Sequence, residues 1–178
     1  MGDSITAGYG VGTERAFPAL IQEKLDSLEL DFTVMNAGVS GETSAGGLNR
    51  INWLLQRPID IFVLELGAND GLRGHRVDST RANLINILKR VRAEYPEAHL
   101  VLAGMQAPPN LGPDYTGAFR SVFKEVAQKT GAHLIPFILE GVGGVKALNI
   151  ADGIHPNQEG HAIIAELVWT HLEPLVEE

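Results

Sequence analysis

Along the chain, contiguous apolar runs alternate with stretches in which apolar residues recur every third or fourth position. The second pattern gives a helix one buried face. It appears at Phe17, Leu20, Ile21, Leu25 and Leu28, which predicts a helix over 14–28. It returns at Leu84, Ile87, Leu88 and Val91 (78–94, with Pro96 beyond), and at Phe119, Val122, Phe123 and Val126 (115–130, closed by Gly131). A last stripe, Ile164, Leu167, Val168 and Leu172, predicts a helix over 158–172. A further helix is expected over 45–56, stopped near Pro58. The contiguous pattern predicts strands. Ile61, Phe62, Val63, Leu64 and Leu66 make 59–66 nearly all apolar, as a strand covered on both faces would be. A second such run spans 99–105, a shorter one 132–137, and a β-rich run at 32–36 leads into Ala37-Gly38. Strands alternating with helices mean βαβ units, hence an α/β fold with a parallel sheet and helices on both sides.

In a sheet of that kind ligands bind beyond the carboxyl ends of the strands. The segments expected there are Ala37 to Thr43, Gly67 to Gly71 and Gln106 to Pro113, all rich in small or polar residues. Composition narrows the reading further. A chain of 178 residues fits a single domain, 1–178, and is long enough to bury a core. A net charge of −8 without a basic run argues against nucleic acid and anionic membrane surfaces as partners. The absence of cysteine removes disulfides, thiolate metal sites and cysteine nucleophiles. No apolar run approaches the roughly 20 residues of a membrane span. The oligomeric state is open.

Candidate chemistry lies at the two ends of the chain. Gly2-Asp3-Ser4-Ile5-Thr6 stands at the front and Asp152-Gly153-Ile154-His155-Pro156-Asn157 near the back. A serine hydroxyl needs an adjacent base to act as a nucleophile, and the base needs an orienting group. Ser4, His155 and Asp152 supply that set. Taken singly, these motifs read more readily as ordinary turns: Asp152-Gly153 as a tight turn, Asn69-Asp70-Gly71 likewise, Gly41 as the cap of a loop. Asp3 and Asp70 read as structural carboxylates that tie loops together. Gly8 to Gly12 lacks the spacing of a dinucleotide loop and reads as a substrate rim. His75, His99, His133, His161 and His171 have no metal-ligand spacing and fit surface or helix positions, so no metal is expected.

Four short blocks in order, Gly2-Asp3-Ser4, Gly41, Gly67-Ala68-Asn69-Asp70 and Asp152-Gly153-Ile154-His155, resemble those of the GDSL esterases, or SGNH hydrolases. The run Leu64 to Gly74 further resembles the bacterial arylesterase and acyl-CoA thioesterase I (lysophospholipase L1) branch. The resemblance covers nearly the whole chain. It implies a flavodoxin-like three-layer α/β/α sandwich and an esterase or thioesterase that needs no cofactor and acts on a small acyl ester or thioester. It also implies roles: Ser4 as nucleophile, His155 as base, Asp152 as the group that holds the imidazole tautomer. The backbone N–H groups of Ser4 and Gly41 and the side-chain amide of Asn69 would receive the oxyanion. Leu72, Met105, Pro108, Pro109, Leu111 and Tyr115 are candidates either for an acyl pocket or for plain packing. A carbohydrate deacetylase, an acyltransferase and a catalytically silent binding module are the alternatives on the same fold.

In one respect the chain departs from the family. The nucleophile motif ordinarily follows a central strand, and here only Met1 precedes it. The expectation is that about five to eight extended, apolar residues stand ahead of Gly2 in the functional polypeptide. That leaves the compartment open: cytoplasmic as the chain is written, periplasmic or secreted if a leader stood upstream.

Overall fold

The computed structural model describes residues 1–176, which group into two compact units. One comprises Met1 with 41–137, the other 2–40 with the described residues from 138 onward.

In the first unit, β1 (Ile61–Leu64), β2 (His99–Ala103) and β3 (His133–Ile135) form a parallel sheet in the order β1-β2-β3. Ile61 stands opposite His99 and Leu64 opposite Leu102; across the next pair Val101 meets His133 and Ala103 meets Ile135. Met1 runs beside β1, its nitrogen bonded to the Val63 carbonyl at 2.9 Å and its carbonyl accepting from the Glu65 N–H at 2.9 Å. The crossovers carry α5 (Val77–Glu94) and α6 (Pro113–Thr130). Both connections step in the same direction across the sheet. The right-handed rule therefore puts α5 and α6 on one face, where they pack against each other. Their stripes meet that demand: Leu84, Ile87, Leu88, Val91, Phe119, Val122 and Val126 are fully buried, and Phe123 nearly so. Helix α3 (Ser44–Leu54) packs on α5, and the short α4 (Ala68–Leu72) leaves the end of β1 after Gly67. At Gly104, just beyond β2, an added Cβ would lie 2.2 Å from the Pro136 carbonyl oxygen, so only glycine lets those two strand ends close up.

In the second unit, α2 (Phe17–Ser27) packs against α7 (Gln158–Val176), with Phe17, Ile21 and Leu25 buried on one helix and Ile164, Val168 and Leu172 on the other. Helix α2 starts at Phe17 with Pro18 in its first turn, later than expected, because Thr13–Arg15 forms a separate 3-10 turn. The short α1 (Ser4–Ala7) was not expected from periodicity, being too brief to show one.

The segment 32–36, expected as a strand, is not one. Its burial does alternate, Phe32 and Val34 half-buried and Thr33 and Met35 exposed. Its backbone partner, however, is a side chain: Gln22 of α2 donates to the Phe32 carbonyl at 3.1 Å and accepts from the Val34 N–H at 2.6 Å. Only Gly38 makes a parallel bridge, to Gly2. The α/β class and the parallel sheet stand as expected.

Candidate active site

Ser4 owes its position to the residues on either side. Asp3 caps α1, its carboxylate accepting from the Ile5 N–H at 3.0 Å, and Ser4 is the first helical residue. The turn is held from outside by Asn36, which donates to the Thr6 carbonyl at 2.8 Å. Gly38 lies so close to α1 that a Cβ there would sit 2.3 Å from the Ala7 nitrogen. Gly8 then ends the helix at φ +77°, and the Tyr9 N–H returns to the Ser4 carbonyl at 3.0 Å. The result is a buried serine, 8% exposed, on a turn with little freedom.

The segment 149–157 is built as a compact loop. Asn149 and Pro156 pair as an antiparallel bridge, and the Ile150 N–H donates to the His155 carbonyl at 2.9 Å. Gly153 sits at φ +71°, where a side chain would be strained. That turn lets one oxygen of Asp152 accept the N–H groups of Ile154 (2.9 Å) and His155 (3.0 Å) while the other meets Nδ1 of His155 at 2.6 Å. These hydrogen bonds from the His155 and Ile154 backbone, and then from the His155 ring, hold the Asp152 carboxyl at about 2, so it is ionised throughout the neutral range. An ionised acceptor at Nδ1 places the ring proton there, which leaves Nε2 as an acceptor. Nε2 lies 2.9 Å from the Ser4 hydroxyl. Ser4, His155 and Asp152 are therefore brought together within the second unit in nucleophile–base–orienter order.

His161 is on a helix, one of the two positions expected for it, and is fully buried in the first turn of α7. Its Nδ1 accepts from the Phe17 N–H at 3.3 Å, tying the start of α2 to α7. Burial first, and the nearby His155 second, push its pKa down to about 4. The sequence reading missed the ring of Tyr9. It lies against the His155 imidazole, centroids 4.6 Å apart and planes tilted by 46°. An aromatic set between two glycines just after the nucleophile was the available signal.

In the first unit, Gly41 is exposed at φ +80°, and Asn69 is the second residue of α4. Asp70 ties three helices, as a structural carboxylate would. It accepts the N–H (2.8 Å) and hydroxyl (2.6 Å) of Ser44 on α3 and the hydroxyl of Thr80 on α5 (3.1 Å). The candidate pocket residues of this unit scatter. Met105 is buried, Leu72 is 46% exposed on α4, Pro108 and Leu111 are half-buried, and Pro109 is exposed. The Tyr115 hydroxyl donates to the His75 carbonyl at 2.8 Å, and its ring stacks on Phe119 with centroids 6.0 Å apart. Among the described residues no cluster of three or more His, Asp or Glu could hold a metal ion, and no helix is long and apolar enough to cross a membrane.

Comparison with known proteins gives a consistent picture. The chain is 44% identical over 178 residues to esterase TesA of Pseudomonas aeruginosa, covering 99% of this chain and 87% of the relative. It is 38% identical over 177 residues to the Escherichia coli protein named thioesterase 1/protease 1/lysophospholipase L1, covering 99% of this chain and 83% of the other. The solved structure of the psychrotrophic esterase EstA from Pseudoalteromonas, inhibited by monoethylphosphonate, superposes with a TM-score of 0.93 at 35% identity, covering 100% of this chain and 97% of that one. The model of the GDSL-like lipase/acylhydrolase family matches residues 1–163, and this chain belongs to that family.

Proposed function

We propose that the chain hydrolyses small aryl and alkyl carboxylic esters through an acyl-Ser4 intermediate, with acyl thioesters and lysophospholipids as further substrates, and that residues 1–178 act as one hydrolase domain. The observation that carries this reading is the pair of contacts on His155, 2.9 Å from Nε2 to the Ser4 hydroxyl and 2.6 Å from Nδ1 to Asp152. As Ser4 Oγ attacks the ester carbonyl, Nε2 takes the hydroxyl proton, and Asp152 stabilises the imidazolium that forms. The electron pair displaced from the carbonyl collects on its oxygen. The donors assigned to that oxygen are the N–H of Ser4, the N–H of Gly41 and the side-chain amide of Asn69. Ser4 supports its share as the first residue of α1, a position whose N–H has no intrahelical acceptor. Collapse expels the alcohol with the proton from Nε2, and water then repeats the sequence on the acyl-enzyme. Leu72 stands three residues after Asn69 on α4, hence on the same helix face, and is the exposed apolar side chain assigned to acyl contact.

The test is a series of p-nitrophenyl esters of rising acyl length, with an acyl-CoA and an acetylated sugar alongside. Turnover should favour the simple esters, disappear in Ser4→Ala without change in the circular dichroism spectrum, and be blocked by a fluorophosphonate attached to Ser4. Labelling of another serine, or activity retained in Ser4→Ala, would sink the assignment. Preference for the acetylated sugar would favour a deacetylase.

A further inference from the structure

We infer that Tyr9 is a specificity-determining residue, an aromatic platform on which the leaving group of an aryl ester rests while His155 protonates it. This rests on the esterase reading above and names the side of the substrate that the reading leaves unassigned. In acylation the bond from the carbonyl carbon to the leaving oxygen breaks, its electron pair stays on that oxygen, and the proton held on Nε2 of His155 moves to it. For that transfer the oxygen must come within about 3 Å of Nε2. Whatever the oxygen carries is then forced alongside the imidazole.

Tyr9 is the aromatic side chain found there. Its ring centroid is 4.6 Å from that of His155, and the residue is 51% exposed, so it presents aromatic surface to solvent beside the base. Its backbone is held. The Tyr9 N–H donates to the carbonyl of Ser4, and Gly12 closes the turn onto the Gly8 carbonyl at 2.9 Å. Gly8 and Gly12 fit so closely that a Cβ on Gly8 would lie 2.6 Å from the Gly12 oxygen. A Cβ on Gly10 would meet Ile150, which precedes Asp152 in the base-bearing loop, at 2.8 Å. A ring fixed to both the nucleophile's turn and the base's loop can receive a phenyl leaving group at the 4.5–7 Å centroid spacing that aromatic pairs prefer.

The rival role is a buttress that merely holds the imidazole, and the two differ in timing. A leaving-group contact acts only before the alcohol departs, whereas a buttress acts in both half-reactions. The experiment compares phenyl, cyclohexyl and ethyl acetate, which share one acetyl-enzyme, on the wild type, Tyr9→Ala and Tyr9→Phe. Tyr9→Ala should lower kcat/KM for phenyl acetate roughly three- to tenfold more than for the cyclohexyl and ethyl esters. Hydrolysis of the shared acetyl-enzyme, read from the rate after the burst, should stay unchanged, and Tyr9→Phe should match the wild type. Equal losses on all three acetates with Ser4 still labelled by fluorophosphonate, or a slower post-burst rate in Tyr9→Ala, overturn the platform alone. A wild type that hydrolyses none of them and leaves Ser4 unlabelled overturns the esterase reading and this inference with it.

Discussion

His155 and His161 belong to one short stretch of chain, and their rings are set up in opposite ways. His155 donates its Nδ1–H in a hydrogen bond to a carboxylate and keeps Nε2 as an acceptor toward Ser4, with its side chain 21% exposed. His161 uses Nδ1 as the acceptor, for the Phe17 N–H, and is sealed from water. In its neutral form the proton is therefore on Nε2. On α4, Asn69 carries the proposed oxyanion role, and its neighbour Asp70 accepts from Ser44 and Thr80. Residue type does not separate the two histidines; what the fold brings to each ring does. His161 turns Nδ1 toward a backbone N–H, and its Nε2 is buried without a hydrogen-bond partner among the described residues. His155 has a carboxylate on one nitrogen and the Ser4 hydroxyl on the other.

The sharpest way to break this comparison is to exchange the expected losses. His155→Ala should lower kcat by about 10⁴-fold or more, as loss of a triad base does, with the melting temperature nearly unchanged. A variant that keeps most of its activity would end the distinction. Asn69→Ala should lower kcat by roughly 10²–10³ with a smaller effect on KM, as the oxyanion role proposed for its amide requires. A change confined to KM would make Asn69 a binding residue only.

A smaller effect concerns stability and pH. The pKa of His161 falls from 6.5 in the unfolded chain to about 4 in the fold. Between those values the unfolded chain binds a proton that the folded one refuses. Stability from this group is thus complete above about 6.5 and drains away as pH falls toward 4, by on the order of 3 kcal/mol. Asp152 acts in a separate window, its contribution present above 3.8 and lost as pH falls toward about 2. His161→Gln removes the titrating ring while keeping an acceptor for Phe17. Its melting temperature should vary less than the wild type's between pH 6.5 and 4, with kcat at neutral pH unaltered. An identical pH slope in the two proteins would show that His161 is not the group responsible.

Much of the architecture was legible before any coordinates. The stripes of α5, α6 and α7 and the apolar runs of β1 and β2 are long enough for a period to declare itself, and burial followed them. So was the alphabet of the site, since serine, histidine and aspartate in those short blocks have few joint uses. What the sequence could not decide was pairing. Segment 32–36 has the alternation of a strand, but Gln22 of α2 supplies its backbone partner, and no local pattern encodes a partner that distant. Nor does a local pattern distinguish a histidine that will be buried against Phe17 from one left facing Ser4. Tyr9 was hidden for the same reason: its place over the imidazole depends on the turn returning to the Ser4 carbonyl and on Gly10 fitting against Ile150. Periodicity is a property of neighbours in the chain, so the sequence by itself determines elements and candidate chemistry. Which ring nitrogen is free, which strand has a partner and which aromatic overlies the base are properties of neighbours in space. Only the folded chain sets those, because hydrogen-bond capacity is spent on whatever the packing brings within reach.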